Sequence, residues 1–118
     1  MDKKMEVGLN KLEGIMILTL KGRSDASNTS KMEAICEKLI ASQEKNILID
    51  CTQLEYISSA GLRILLKMAK QVKKDFGKIA VAHMNEHVRQ IFQISGFIEL
   101  FPAYDSVLEG LNCFHPKK

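Results

Sequence analysis

Two adjacent hydroxyl side chains, Ser58 and Ser59, are the groups in this sequence best placed to do chemistry. They are followed by Ala60 and Gly61 and then by apolar residues at helical spacing, which predicts that a helix begins at this point. The backbone N–H groups of a helix N-terminus are unpaired and the helix dipole is positive there, so the position favours an anion such as phosphate. A phosphate would add about −1.5 to −2 charges to a chain whose formal net charge is +3.

The small residues after the two serines fit a modified site. Ala60 leaves the approach to Ser59 open, and Gly61 lets the backbone pass close to a neighbouring element. A structural role is the simpler alternative, because serine is among the residues preferred as a helix N-cap. Judged by residue type alone, Ser58 or Ser59 is more readily interpreted as a cap than as a modified site.

Strand and helix patterns alternate along the chain. Period-two and continuous apolar runs predict strands over 4–11, 15–21, 46–51, 78–82 and 100–101. Apolar stripes at helical spacing predict helices over 30–43, 58–76, 86–94 and 105–111. The order β-β-α-β-α-β-α-β-α predicts an α/β fold, with a mixed, mostly parallel sheet, an N-terminal hairpin and about four helices. We expect a single domain over 1–118 with a loose tail from residue 112.

Two polar segments follow strands that we expect to be parallel neighbours. The first is 22–29, after the strand that ends at Lys21, and the second leads to the two serines, after the strand that ends near Cys51. Because the carboxyl ends of parallel strands lie at the same edge of a sheet, the two segments are predicted to converge there. The first segment contributes the side chains expected to line the site: Asp25, Ser27 and Asn28.

The start of the first helix has several candidate caps. Ser30 with Glu33 fits a capping box, whereas Asn28 or Asp25 would cap an earlier start. For Asp25 a capping role is slightly favoured over a place beside Ser59, because Asp is one of the leading N-cap residues.

The charge pattern argues against nucleic acid as a direct partner. A basic cluster of Lys67, Lys70, Lys73 and Lys74, with Arg63 one turn earlier, lies at helical spacing and is interpreted mainly as a solvated face. No aromatic residue is interleaved with these lysines, as single-strand binding would favour.

Several other classes of site lack support in the sequence. Cys36, Cys51 and Cys113 are odd in number and form no C-x-x-C pair, which predicts reduced, buried thiols and a cytoplasmic location. The longest apolar run, 15–18, is too short to span a bilayer, so no membrane insertion is expected. No histidine spacing offers a metal set and no Ser-His-Asp arrangement is apparent, so we expect no metal, no cofactor and no catalytic residue.

Three stretches resemble a known family. The run 48–63, Leu-Ile-Asp-Cys-Thr-Gln-Leu-Glu-Tyr-Ile-Ser-Ser-Ala-Gly-Leu-Arg, closely resembles the signature of STAS domains, specifically of bacterial anti-sigma factor antagonists. The stretches 22–28 and 91–97 are similar to the second and third recurring stretches of that family. The resemblance extends from Met5 to Leu111.

This resemblance implies partner switching by phosphorylation. In the family, the unphosphorylated protein binds an anti-sigma factor that is also an ATP-dependent serine kinase, and binding releases the sigma factor. The kinase phosphorylates the serine two residues before the motif glycine, the complex dissociates, and a separate phosphatase acting on phosphoserine resets the protein. The matching glycine is Gly61, so the resemblance assigns phosphorylation to Ser59. The residues that it implies line the partner-binding site are Asp25, Ser27, Asn28, Ser58, Ala60, Gly61 and Arg63.

Two alternatives stay open at this point. Well-studied antagonists often carry Asp just before the phosphoacceptor, where this chain has Ser58, so two hydroxyls are adjacent and Ser58 is a less favoured acceptor. The alternative function is a STAS scaffold subunit of a signalling or transport assembly, whose serine is never phosphorylated.

Overall fold

Within residues 5–25 and 27–115, which the computed structural model describes, five strands form one mixed sheet. In sheet order the strands are β1 (Glu6–Leu12), β2 (Ile15–Ser24), β3 (Asn46–Ile57), β4 (Lys78–Ala82) and β5 (Ala103–Tyr104). β1 runs antiparallel to β2, and the remaining neighbours are parallel. The predicted mixed, mostly parallel sheet with an N-terminal hairpin is therefore confirmed.

A two-residue turn joins β1 to β2. Leu12 pairs with Ile15, and the residues between them, Glu13 and Gly14, have φ angles of 50° and 83°. Positive φ at both positions is the backbone conformation that matches the twist of the flanking strands, and glycine adopts it without steric cost. The predicted turn at these two residues is confirmed.

The described part of the chain has five helices, one more than the sequence predicts. They are α1 (Thr29–Ala41), α2 (Ser59–Lys74), α3 (Glu86–Ile94), α4 (Phe97–Leu100) and α5 (Val107–Asn112). The additional helix, α4, is a single turn, whereas α3 and β4 have the predicted bounds. No helix in this part of the chain is both long and apolar enough to cross a bilayer.

Apolar side chains pack on both faces of the sheet. On one face α1, α2, α3 and α4 cover a large cluster that includes Leu20, Ile49, Leu65 and Phe92. Because the central strands are covered on both faces, their apolar runs are nearly continuous, as buried parallel strands require. The smaller cluster on the other face, under α5, contains Ile15, Ile17, Leu48, Ala80 and Ala82.

β2 and β3 extend further than the sequence predicts. The strands predicted to end at Lys21 and near Cys51 continue to Ser24 and Ile57. Parallel pairing continues through these residues, with two register shifts along β2. Irregularities of this kind interrupt the alternation of side chains on which the prediction depended.

The last strand lies beyond Pro102, whereas the prediction placed it before that residue, at Leu100 and Phe101. Leu100 instead ends α4, and β5 is formed by Ala103–Tyr104. Proline lacks an N–H donor but keeps its carbonyl, and Pro102 O accepts a hydrogen bond from Val81 N at 3.0 Å. The proline therefore leads into the strand instead of halting it.

The cap of the last helix is Ser106, so the predicted cap at Asp105 is wrong. Ser106 Oγ accepts a hydrogen bond from Glu109 N at 3.1 Å. The Asp105 carboxylate is engaged elsewhere, because its Oδ1 accepts from Arg89 Nη2 at 3.0 Å.

Three residues after α5 are described. Phe114 packs against the smaller apolar cluster, and His115 Nε2 lies 3.1 Å from Glu13 O. Residues 116–118 of the predicted loose tail lie outside the described residues.

The three cysteines are unpaired. Cys36 and Cys51 are buried, as predicted, and burial raises the pKa of Cys36 to about 12 and also raises the pKa of Cys51. Raised pKa values keep both thiols protonated at neutral pH and therefore unreactive. Cys113 is only partly buried, which departs from the expectation for all three thiols.

Truncation of the buried face of α3 tests this packing. Phe92 is fully buried, and the centroid of its ring lies 4.8 Å from that of Phe97. We expect Phe92→Ala to lower the free energy of unfolding by about 3–5 kcal/mol, because a cavity is left in the core. The matched control is Ile94→Ala on the same helix, where the side chain is 88% exposed, and we expect a change within about 0.5 kcal/mol. Urea denaturation followed by circular dichroism measures both, and equal losses would contradict the described orientation of α3.

Candidate functional site

The two polar segments meet where β2 and β3 end. Ser24 pairs with Ile57 in the parallel ladder, and Ser58 N donates a hydrogen bond to Ser24 O at 2.8 Å. The predicted convergence at the carboxyl edge of the sheet is therefore confirmed. The β2–α1 segment and the first turn of α2 therefore start from the same edge of the sheet, and these two stretches contain the predicted site residues other than Arg63.

Ser58 is the N-cap of α2. Its Oγ accepts a hydrogen bond from Gly61 N at 3.1 Å, which satisfies one of the unpaired N–H groups of the first turn. The Ser58 side chain is partly buried. Its hydroxyl therefore has a structural role, which is the simpler of the two predicted alternatives.

Ser59 is the first residue of α2 and differs from its neighbour in both exposure and bonding. Its side chain is exposed, and it makes no hydrogen bond to any residue that the structure describes. Of the two adjacent hydroxyls, the one at Ser59 is therefore open to a reagent from solution.

Gly61 lies where three other elements meet the first turn of α2. A Cβ atom built on Gly61 would lie 2.3 Å from Ser24 Oγ, 3.0 Å from Met32 Cε and 3.2 Å from Ile57 Cγ1. Because real Cβ atoms do not approach other atoms at 2.3 Å, only glycine fits without displacing a neighbour. The expectation that Gly61 permits close backbone approach is confirmed.

Ser24 is a buried polar residue that sequence reasoning missed. Its side chain is fully buried, and its Oγ has no hydrogen-bond partner within the described residues. The sequence offered no signal for this, because a serine in a polar segment at a strand end is usually exposed. An unsatisfied buried hydroxyl carries an unfavourable desolvation cost.

The β2–α1 segment is held by hydrogen bonds among its own polar residues. Asp25 Oδ1 accepts from Ser27 N at 2.9 Å and from Ser27 Oγ at 2.5 Å. Asn28 Oδ1 accepts from Asp25 N at 3.0 Å, and Asn28 Nδ2 donates to Arg23 O at 2.9 Å. The bonds from Ser27 lower the pKa of the Asp25 carboxyl. Asp25, Ser27 and Asn28 thus lie together, and their bonds stabilise one conformation of the segment.

Of the three candidate caps of α1, the Ser30–Glu33 box and Asp25 are wrong, and Asn28 has the N-cap position without a side-chain cap bond. The helix begins at Thr29, so Ser30 and Glu33 lie inside it and form no capping box. Asn28 occupies the N-cap position, but its side chain makes no cap hydrogen bond, because it is engaged with Asp25 and Arg23. The carboxylate of Asp25 is likewise engaged within the segment, so the slightly favoured capping role for Asp25 is not observed.

A stack of side chains from three elements adjoins the site and was not predicted. The Arg23 guanidinium carbon lies 4.8 Å from the centroid of the Tyr56 ring, and the Tyr56 and His87 ring centroids are 5.6 Å apart. Arg23 is opposite Tyr56 in the β2–β3 register, but both residues lie beyond the predicted ends of these strands, so nothing in the sequence indicated their contact. The contribution of His87, from α3, depends on tertiary packing alone.

The remaining predicted residues, Ala60 and Arg63, lie on α2. Ala60 is partly buried beside Ser59, and Arg63 is exposed one helical turn further along. Because residues four apart lie on the same side of a helix, Ser59 and Arg63 share one face. In the described part of the chain no group of three or more His, Cys, Asp or Glu side chains lies close enough to hold a metal ion.

The sequence matches the family model of the STAS domain over residues 6–110. A Bordetella bronchiseptica protein, BtrV, whose name assigns it provisionally to the anti-sigma factor antagonists, is 35% identical over 102 residues. The match covers 86% of this chain and 88% of that protein.

Solved structures have the same fold at lower sequence identity. An anti-sigma factor antagonist from Mycobacterium paratuberculosis is 20% identical and matches with a TM-score of 0.87, covering 95% of each chain. The anti-sigma factor antagonist SpoIIAA in its unphosphorylated form is 16% identical and matches with a TM-score of 0.81, covering 96% of this chain and 99% of the other. These similarities confirm the predicted α/β architecture.

Replacement of each serine by alanine separates their roles in stability. We expect Ser58→Ala to lower the free energy of unfolding by about 1 kcal/mol, because Gly61 N loses its cap. We expect Ser59→Ala to change it by less than about 0.5 kcal/mol, because an exposed hydroxyl without a partner is removed. Chemical denaturation of the two variants measures the difference, and a larger loss at Ser59 would contradict the assignment of the cap.

The contact between Ser24 and Gly61 is tested by a double-mutant cycle. We expect Gly61→Ala to lower the free energy of unfolding by about 1–3 kcal/mol through overpacking, although alanine is the better helix former. Ser24→Ala removes an unsatisfied hydroxyl and is expected to be neutral or stabilising. In the double variant the loss caused by Gly61→Ala is smaller, because the nearest clashing atom is absent. Strict additivity in urea denaturation would show that the two residues do not interact.

Proposed function

The chain belongs to the STAS domain family, and from that membership we propose that it is an anti-sigma factor antagonist switched by phosphate on Ser59. In the unphosphorylated state it binds an anti-sigma factor that is also a serine kinase, and this binding frees the sigma factor. Phosphorylation by the kinase dissociates the complex, and a phosphatase acting on phosphoserine restores the binding state. The whole chain acts as one STAS domain.

The observation that carries this proposal is the difference between the two neighbouring hydroxyls. Ser58 Oγ accepts the hydrogen bond from Gly61 N and is partly buried, whereas Ser59 is exposed and unbonded within the described residues. A kinase needs a side chain that can leave the protein surface and enter an active site. The Ser58 hydroxyl is already engaged as the cap of α2, whereas the Ser59 hydroxyl can be modified while that cap stays intact.

The surroundings of Ser59 suit a surface that one charge can switch. The segment with Asp25, Ser27 and Asn28 lies beside the start of α2 and is held by its own hydrogen bonds, so it presents a defined shape to a partner. Gly61 packs the first turn of α2 closely on the same edge of the sheet. A phosphoserine at this point introduces a dianion and its hydration shell into the centre of the docking surface. Binding is then opposed by desolvation of the phosphate.

We infer that the protein is a regulatory binding protein and not an enzyme. Relatives and solved structures that it resembles are named for antagonism of an anti-sigma factor, which is a binding role. Its partner acts on a sigma factor, so we place the protein in the cytoplasm. Its function involves no direct contact with nucleic acid and no insertion into a membrane.

Phosphorylation of the purified protein by its kinase tests the acceptor. We expect incubation with the cognate anti-sigma kinase and ATP to add one phosphate, which peptide mass spectrometry places on Ser59. Ser59→Ala abolishes this incorporation, and Ser58→Ala, the matched control, retains it. Phosphate found on Ser58, or on neither serine, would contradict the proposed switch.

Binding of the same partner tests the effect of the charge. We expect Ser59→Ala to bind with the affinity of the wild type and to stay bound in the presence of ATP. We expect Ser59→Asp to bind at least about tenfold more weakly, since about 1.4 kcal/mol of lost binding free energy has that effect. Isothermal titration calorimetry measures both affinities, and equal binding by the two variants would count against a switch at this residue.

A further inference from the structure

One face of α2 is strongly cationic. Its exposed side chains, apart from Ser59, are all basic, and the helix contains no Asp or Glu. These basic residues, which we call the cationic face, are Arg63, Lys67, Lys70, Lys73 and Lys74.

The cationic face accounts for the whole positive charge of the protein. The chain has seventeen basic and fourteen acidic residues, of which five basic and no acidic ones are on α2. The rest of the chain therefore has twelve basic and fourteen acidic residues, a net negative charge. Positive charge concentrated on one helix, in a chain that is otherwise slightly acidic, is a local electrostatic feature and not a general property of the surface.

The charges of this face are not neutralised by other described residues. The ion pairs among residues 5–25 and 27–115 join Lys11 to Glu44 and Arg89 to Asp105, and neither involves α2. Two carboxylates lie near the helix: Glu37 of α1 lines a shallow groove with Lys67, and Asp75, the C-cap of α2, accepts a hydrogen bond from Gln71 Nε2 at 3.3 Å. Neither forms an ion pair with a cation of α2 within the described residues. These exposed cations are therefore available to a partner without breaking an ion pair.

One cation of the row has an internal contact of a different kind. Lys73 Nζ lies 5.8 Å from the centroid of the Phe101 ring. A cation–π contact at an exposed site is weak and leaves the positive charge in place.

Ser59 lies at the N-terminal end of the same face. At 100° per residue, steps of three and four residues return to one side of a helix, and such steps connect Ser59, Arg63, Lys67, Lys70 and Lys74. The proposed phosphoacceptor and the cations therefore belong to one continuous surface. A partner that binds over Ser59 and extends along α2 also contacts Lys67 and Lys70, in the middle of the cationic face.

We propose that the cationic face of α2 is a docking surface for the anti-sigma factor, and that the matching surface of the anti-sigma factor is acidic. This inference rests on the proposed function and extends it by naming the chemistry of the partner's surface. Opposite potentials across an interface accelerate association and select the correct partner. Phosphate on Ser59 then places a dianion at the end of the row, where it repels the acidic surface and offsets part of the attraction of the cations.

Nucleic acid and an anionic membrane are the other ligands that a row of lysines could attract, and the structure favours neither. No aromatic side chain lies between the cations of α2, so bases would have no stacking platform on this helix. Interfacial helices insert an apolar face into the bilayer. The apolar face of α2 is already buried in the core, through Leu62, Leu65, Met68, Ala69 and Val72.

A charge-reversal pair tests the docking surface. Lys67→Glu with Lys70→Glu reverses the centre of the cationic face, and Lys38→Glu with Lys45→Glu makes the same change in net charge at exposed sites outside α2. The partner is the purified anti-sigma kinase that binds the wild-type protein, and calorimetry is done at low and at physiological salt. We expect the α2 pair to bind at least about tenfold more weakly and with a flatter salt dependence, because attractive charge has been removed from the interface. We expect the control pair to bind within about twofold of the wild type, because long-range effects of net charge are screened.

The outcomes distinguish this inference from the proposed function. Failure of the wild type to bind any anti-sigma kinase, or equal binding by Ser59→Asp and Ser59→Ala, would overturn the proposed function. The docking surface alone would be overturned if Ser59 switches binding as proposed but the Lys67→Glu, Lys70→Glu variant binds with wild-type affinity. Equal losses of affinity in the two charge-reversal variants would have the same meaning. The inference would also be overturned if the wild type, but not the Lys67→Glu, Lys70→Glu variant, binds duplex DNA or phosphatidylglycerol vesicles at physiological salt. The cationic face would then be a binding site for nucleic acid or for a membrane.

Discussion

Close contact between the start of α2 and the end of β2 is the constraint on which the site depends. The hydrogen bond from Ser58 N to Ser24 O continues the pairing of β2 with β3 to the last residue before the helix. Gly61 then lies so near Ser24 that there is no space for a Cβ atom. The helix N-terminus is thereby held at the sheet edge, and its first exposed side chain is Ser59.

This constraint gives two chemically identical residues different roles. The backbone of Ser58 is still extended and its hydroxyl turns back to the N–H of Gly61, whereas Ser59 is already helical and projects from the surface. The cap stabilises the helix on which the proposed acceptor lies, and it leaves the Ser59 hydroxyl exposed. Serine is as suitable a cap as Asp, so Ser58 caps the helix without placing a negative charge beside Ser59.

The electrostatics of the surface follow from the same placement. α2 is amphipathic, with its apolar side buried against the sheet and α1, so its charged side has to face solvent. Because all charged residues of that side are basic, the proposed acceptor begins a row of cations and not a mixed surface. The Arg23–Tyr56–His87 stack adds one further cation, the Arg23 guanidinium, next to the sheet edge, although only tertiary packing brings the three side chains together. A single phosphate therefore acts on a surface whose potential is already polarised.

The sequence by itself determined the order of the elements, because apolar periodicity reflects which side of each strand or helix is buried. It also determined the bounds of β4 and α3, the turn at Glu13 and Gly14, and the motif over 48–63. It did not place β5 beyond Pro102 or extend β2 to Ser24, because both strands depend on hydrogen bonds to residues of other strands. It did not identify the bonding at the cap of α1 either, because the Asn28 side chain bonds to Asp25 and Arg23 and not to the helix. For Ser58 and Ser59, residue type makes the two hydroxyls equivalent, and only the motif alignment favours Ser59 as the proposed acceptor. The folded chain adds a structural difference, because it bonds the hydroxyl of Ser58 and exposes that of Ser59.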